Sequence, residues 1–134
     1  MISAANKSDI AVLWPVVAPW IAGALPYAKG RWTLASLCRD LSVGLKRLWL
    51  VFKEKAPIAC FVTCNTTFPG ARVCTILIAG GIDSDSWVGP GLVEVEEAAR
   101  KEGCGQVEII GRAGWERKCP SYTKAGVWLV KELS

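Results

Sequence analysis

The sequence predicts an α/β fold built on a mixed sheet, and two successions of segments carry that expectation. In the first, three apolar, β-prone runs follow one another with turn residues between them: Leu45 to Phe52 (LKRLWLVF), Ile58 to Thr66 (IACFVTCNT) and Ala71 to Ala79 (ARVCTILIA). The separators KEKAP and TFPG are short, so neighbouring strands reverse direction and make a three-strand antiparallel meander. In the second, the third strand leads into a glycine-rich stretch, GGIDSDSWVGPG (Gly80 to Gly91). An amphipathic helix follows, LVEVEEAARKE (Leu92 to Glu102), and then a strand, QVEII (Gln106 to Ile110). Strand, loop, helix and strand form the βαβ unit, whose loop is a natural place for an anion at a helix N-terminus.

The other elements are read from capping and periodicity. Ile10 to Ala28 (IAVLWPVVAPWIAGALPYA) carries no charge over 19 residues, close to the length that crosses a bilayer. Its prolines, Pro15, Pro19 and Pro26, each remove or distort a helical hydrogen bond, so one or two short helices packed on the sheet are expected, with Ser8 capping the first. Asp9 just before the run, with no convincing small-x-small cleavage site before a polar mature start, fits a signal peptide poorly. Thr33 caps a helix whose apolar positions Leu34, Leu37, Cys38 and Leu41 follow helical spacing, and Gly44 ends it. Gly103 terminates the helix after the glycine-rich stretch, and its acids fall early and its bases late, as the helix dipole favours. Arg112 to Cys119 suggests a short helix stopped by Pro120, and Gly126 to Leu133 (GVWLVKEL) a closing strand. No repeat or linker divides the 134 residues, so residues 1–134 are expected to be one domain.

Composition narrows the chemistry. The chain is 51% apolar and 21% charged, as ordinary globular proteins are. Its net charge of +4 is spread over small clusters that a solvated face explains, so nucleic acid is not an expected partner. There is no histidine, which removes every Ser-His or Cys-His nucleophilic mechanism. The six cysteines, Cys38, Cys60, Cys64, Cys74, Cys104 and Cys119, include no C-x-x-C pair, so no zinc site is expected. They read as reduced thiols of a cytoplasm-type compartment. Seven tryptophans, Trp14, Trp20, Trp32, Trp49, Trp87, Trp115 and Trp128, are many for this length; those outside the core would mark a partner or ligand surface.

Two N-terminal helices, the meander, the elbow Gly80 to Gly91, a helix, a strand, a short helix and a last strand resemble, in this order, the GNAT fold of acetyl-CoA-dependent N-acetyltransferases. GCGQVEIIGRAGWERKCPSYTKAGVWLVKEL (Gly103 to Leu133) is similar to the C-terminal half of small phage-encoded GNAT-like proteins. The resemblance implies that the strands on either side of the elbow splay apart and that acetyl-CoA bonds the exposed backbone of the first, here Cys74, Ile76 and Ile78. It implies a pyrophosphate on the elbow, with Gly89 and Gly91 supplying backbone freedom, and a tyrosine acid matching Tyr122.

The residues themselves read the elbow differently. It lacks the family's Arg/Gln-x-x-Gly-x-Gly/Ala pattern, holds Asp83 and Asp85, whose carboxylates repel a pyrophosphate, and loses an N–H donor at Pro90. Ser86 or Asp85 acting as a plain helix cap explains it without a ligand. Glu108, a carboxylate in a mostly apolar strand, is the candidate general base, although alternation with Val107 and Ile109 would point it outward. Glu94, Glu96 and Glu97 fit a solvated helix face, and Arg112, Trp115 and Arg117 are candidates to line a cleft or to stack and pair within the fold. The function expected is therefore a GNAT-like scaffold with a degenerate acetyl-CoA site and no bound cofactor. It would act through protein contacts or as a homo-oligomer, as a structural subunit of an assembly such as a phage particle, in the host cytoplasm or the virion. The alternative is an active N-acetyltransferase using acetyl-CoA; membrane insertion is not expected.

Overall fold

A computed structural model of the chain describes residues 1–111 and 114–134. Its sheet has the order β1-β2-β3-β4-β5, from Ile2–Ala4, Arg47–Lys53, Ala56–Phe68, Ala71–Gly81 and Gln106–Ile109. The predicted meander is present: β2, β3 and β4 pair antiparallel, and β5 joins β4 in parallel. Lys53 pairs with Ala56 across a two-residue turn in which Glu54 and Lys55 have φ of 53° and 70°. Two left-handed residues match the twist of the flanking strands, and Glu-Lys is an unusual way to supply them. Pro57 therefore lies inside β3, next to the bulge that makes Ile58 unmatched, where its missing N–H is tolerated.

A second bulge decides how β4 serves the two layers. Val62 pairs with Ile78 and Thr63 with Ile76, so Leu77 is the extra residue. Ile76 packs with the layer that contains Trp49, Phe61 and Trp87, and Ile78 packs with the layer that contains Val17, Ile21 and Leu37. Two residues of the same parity thus face opposite sides, which the bulge alone permits.

On one face lie α1 (Ile10–Ala24) and α2 (Leu34–Ser42). α1 is continuous through Pro15 and Pro19. Both prolines are exposed, so water can reach the carbonyls they leave unpaired, while Ile10, Val17 and Ile21 are buried on the sheet. The expected cap at Ser8 is not formed; a 3-10 turn, Lys7–Asp9, leads directly into α1 without a side-chain cap. The cap at Thr33 is a full capping box with Ser36, and Gly44 follows α2 at φ 84°. The stretch Lys7–Ala28 is apolar and long enough to cross a membrane by length and composition, and it spends the buried stripe of α1 on the core of the fold.

On the other face α3 (Ser84–Lys101) lays Trp87, Val88, Leu92, Val95 and Ala99 against the sheet, followed by α4 (Trp115–Lys118). Trp49, Phe61 and Trp87 stack in a row, with ring centroids 5.7 and 6.0 Å apart and planes within 10°. Two sequence expectations are corrected here. The elbow does not extend to Gly91: β4 runs to Gly81 and α3 begins at Ser84, which leaves Ile82 and Asp83 as the connection. The predicted closing strand over Gly126 to Leu133 is not formed, and Val127, Leu129 and Leu133 are 73%, 86% and 87% exposed. The three-residue strand β1, which the sequence reading did not include, forms the opposite edge of the sheet.

Candidate functional site

The ladder between β4 and β5 covers Val73 to Ile76 on one strand and Gln106 to Ile109 on the other, closed by Ile110 N–H donating to the Ile76 carbonyl at 3.3 Å. β4 continues for five more residues, Leu77 to Gly81, held only by β3. β4 and β5 thus part after Ile76 and Ile109, and among the described residues this splay leaves the far edge of β4 without a strand partner. α1 comes close to this segment: a Cβ on Gly80 would lie 2.5 Å from the Trp20 carbonyl oxygen. Gly81, at φ 130°, would meet Ala59 Cα at 2.4 Å if it carried a side chain. Glycine is required at both positions for this approach.

A cleft of about 320 Å³ opens at the splay on the α1 side. Its floor is β4 from Leu77 to Gly81, and its walls include Trp20, Tyr27, Trp32, Trp115 and Trp128. The 3-10 turn Leu25–Ala28 and the left-handed pair Lys29 and Gly30, at φ 55° and 81°, turn the chain so that Arg31 and Trp32 join that wall. Arg31 stacks its guanidinium over Trp128 at 4.6 Å, and Lys46 places its ammonium 4.6 Å from the Trp32 ring centroid. Lys46 also donates to Asp40 Oδ2 at 2.7 Å, which holds the Asp40 carboxyl below its usual range and ties the end of α2 to the cleft wall.

The other side of the splay is filled. Asp83, left-handed at φ 58°, precedes α3 and pairs with Lys53 at 3.3 Å; the hydrogen bond from Lys53, aided by Ser86, holds its carboxyl low. Asp85 pairs with Lys118 at 3.4 Å, and Lys118 also donates to Ser84 Oγ. The Trp87 indole N–H donates to the Ile82 carbonyl at 2.9 Å, fixing the connection itself. The end of α3 that would receive a diphosphate is thus occupied by two carboxylates and by side chains already bonded to one another. Two carboxylates at this helix end oppose the charge of a pyrophosphate.

The predicted site residues fall in separate places. Gly89 and Gly91 lie inside α3, not in a loop; Gly89 faces open space and Gly91 sits over the Phe61 ring. Cys74 and Ile76 are buried in the ladder beneath α3, and burial pushes the Cys74 thiol up to about 11. Ile78 is buried beneath α1. Glu108 is exposed, as alternation with Val107 and Ile109 implies, and accepts a hydrogen bond from Thr75 Oγ1 at 2.7 Å. Tyr122 donates to Glu96 Oε2 at 2.9 Å beside Gln106 and Val107, at the start of β5. Burial first, then the Glu96 carboxylate, raises its phenol well above the ordinary range. Neither Glu108 nor Tyr122 lines the cleft. Trp115 does line it, as expected, while Arg112 lies outside the described residues. Trp20, Tyr27, Trp32 and Arg31 were not singled out as a site from the sequence; the signal available was a run of aromatics around glycine with no acid nearby. The six cysteines are free thiols, and among the described residues no cluster of metal-binding side chains occurs.

This architecture is the GNAT acetyltransferase fold. The chain is similar to the crystal structure of a GNAT family acetyltransferase of Staphylococcus aureus, with a TM-score of 0.66 at 16% identity over 99% of this chain and 98% of that one. It is similar to a predicted acetyltransferase of Clostridium acetobutylicum solved with acetyl-CoA, at TM-score 0.68 and 13% identity over 98% and 95% of the two chains. An aminoglycoside acetyltransferase from an uncultured soil metagenomic sample aligns at TM-score 0.71 and 9% identity over 100% and 96%. At these identities the likeness shows the fold. The chain matches no protein-family model. It matches no curated protein.

Proposed function

We propose that this protein is a GNAT-fold scaffold that has given up the diphosphate half of its acetyl-CoA site and acts through binding, as a protein-contacting or self-associating subunit. One observation carries the reading: the N-terminus of α3 carries two carboxylates, Asp83 paired with Lys53 and Asp85 with Lys118, where a diphosphate would need bare N–H donors. The outer side of α1 supports it. Ala11, Val12, Pro15 and Val16 are exposed there without a charge among them, Val12 at 79% and Val16 at 41%. An apolar stripe of this kind suits a partner surface or a second copy. The resemblance of Gly103 to Leu133 makes a phage particle one assembly to which such a subunit would belong. Calorimetric titration with acetyl-CoA tests the reading. It expects no heat at ligand concentrations up to about 1 mM, together with an oligomer by light scattering that Val12→Asp dissociates. Micromolar binding of acetyl-CoA overturns it.

A second reading, an active N-acetyltransferase, has its own support in the edge of β4 from Leu77 to Gly81, which has no strand partner among the described residues. In that reading Tyr122 is the acid and Glu108 the base. Acetyl-CoA hydrolysis or transfer that falls in Tyr122→Phe while acetyl-CoA binding stays unchanged would favour it.

A further inference from the structure

The cleft on the α1 side is a second kind of site from the closed end of α3, and its chemistry is specific. Among the described residues, Arg31 is the single charged side chain in its lining. Among the described residues no carboxylate is there to meet an amine, and the remaining polarity comes from the Tyr27 hydroxyl, the indole N–H groups and the main chain of β4, which among those residues has no partner on its outer edge beyond the ladder with β5. Tryptophan and tyrosine rings make the walls. About 320 Å³ lies at the small end of the range for ligand pockets, which suits a single fused ring with a short side arm. Gly23, on the α1 wall, has nothing within 4 Å of where its Cβ would stand, so the space in front of it is open.

We infer that this cleft binds a small planar aromatic carboxylate, its ring between the indole walls and its carboxylate on Arg31. Flat rings gain from offset stacking on tryptophan, and a guanidinium meets a carboxylate with two parallel N–H donors. A cationic amine of the same shape would face Arg31 with no acid to receive it. The inference uses none of the residues at the start of α3 and shares only the β4 segment Leu77 to Gly81 with the acetyl-CoA reading.

Indole-3-acetate, indole and tryptamine serve as anionic, neutral and cationic probes on the full chain. Calorimetry reads affinity, and the tryptophan indole N–H signals in a proton–nitrogen NMR spectrum read location. Indole-3-acetate should bind in the submillimolar range and about 10-fold more tightly than tryptamine. It should shift the Trp20, Trp32, Trp115 and Trp128 signals and leave Trp49 and Trp87 in place. Arg31→Ala should bring indole-3-acetate down to the affinity of indole. Gly23→Leu, whose Cβ would meet nothing within 4 Å, should abolish binding while the melting temperature holds or rises. Absence of binding at about 10 mM, tryptamine binding as tightly as indole-3-acetate, shifts at Trp49 or Trp87, or unchanged binding in Gly23→Leu would each overturn the inference.

Discussion

The two sides of the splayed end of β4 use the same residue type for opposite ends. Beneath α3, Trp49 and Trp87 are buried, stacked on Phe61 and hydrogen bonded, Trp49 Nε1 to Thr63 Oγ1 at 3.0 Å and Trp87 Nε1 to the Ile82 carbonyl at 2.9 Å. Beside α1, Trp20, Trp32 and Trp128 wall an open cleft. An indole that is packed on both faces and has its N–H satisfied is structural support. One that borders a cavity next to an unpartnered strand edge is available to a ligand. Tryptophan content by itself does not separate the two; the neighbours of each ring do.

Breaking the filled side should have the largest effect. Phe61→Ala removes the middle ring of the stack and should cost about 3–5 kcal/mol in denaturant unfolding; a loss below about 1 kcal/mol would mean that the stack is not what holds this layer. On the other side, Gly80→Ala drives a methyl into the Trp20 carbonyl 2.5 Å away. It should cost about 1–3 kcal/mol and, by moving α1, alter the cleft, which the indole N–H spectrum would register. A pH series sharpens the contrast further. Burial pushes the Cys60 thiol from 9.0 up to about 12 and the Cys74 thiol up to about 11, one on each side of the sheet. The unfolded thiols ionise first, so this contribution is complete below pH 9.0 and is lost as pH rises toward those values. Melting temperature should therefore fall above pH 9.0, and Cys60→Ala should flatten that fall. The smallest effect is a gain: Gly89→Ala, exposed within α3 with free space around it, should stabilise by about 0.5–1 kcal/mol, since alanine loses less backbone entropy in a helix. Destabilisation instead would return Gly89 to a loop role.

Much of the fold was legible because it rests on local signals. Thr33 with Ser36, the two hairpins and the βαβ order all announce themselves in short stretches. The extent of α3 was not, because Gly89-Pro90-Gly91 reads as a loop by propensity. Its helix is held by what it packs on: Trp87 and Val88 before the glycines and Leu92 and Val95 after them are all buried. Pro90 removes one bond toward Ser86, and both residues face water, so the break is tolerated. The closing strand failed for a different reason. GVWLVKEL has a strand's side-chain pattern, yet a strand also needs a neighbouring edge, which no alternation in one segment can report. Of the site, the hostile charge of the elbow was readable from its residues, Asp83 and Asp85. The cleft was not, since its walls come from α1, the turn after it, β4, α4 and the C-terminal segment.

Leu77 has a consequence for anyone editing this chain. It works as a frame shift within one strand: before it, even-numbered side chains serve the α3 layer, and after it they serve the α1 layer. Deleting Leu77 would make Ile76 and Ile78 neighbours on opposite faces by plain alternation, so each would keep its layer and its partner, Thr63 or Val62. Deleting a regularly paired residue beyond it, such as Ala79, would instead rotate Gly80 and Gly81 by half a turn, away from Trp20 and Ala59. The bulge is thus the one place in this strand where a residue can be lost without turning the cleft floor over.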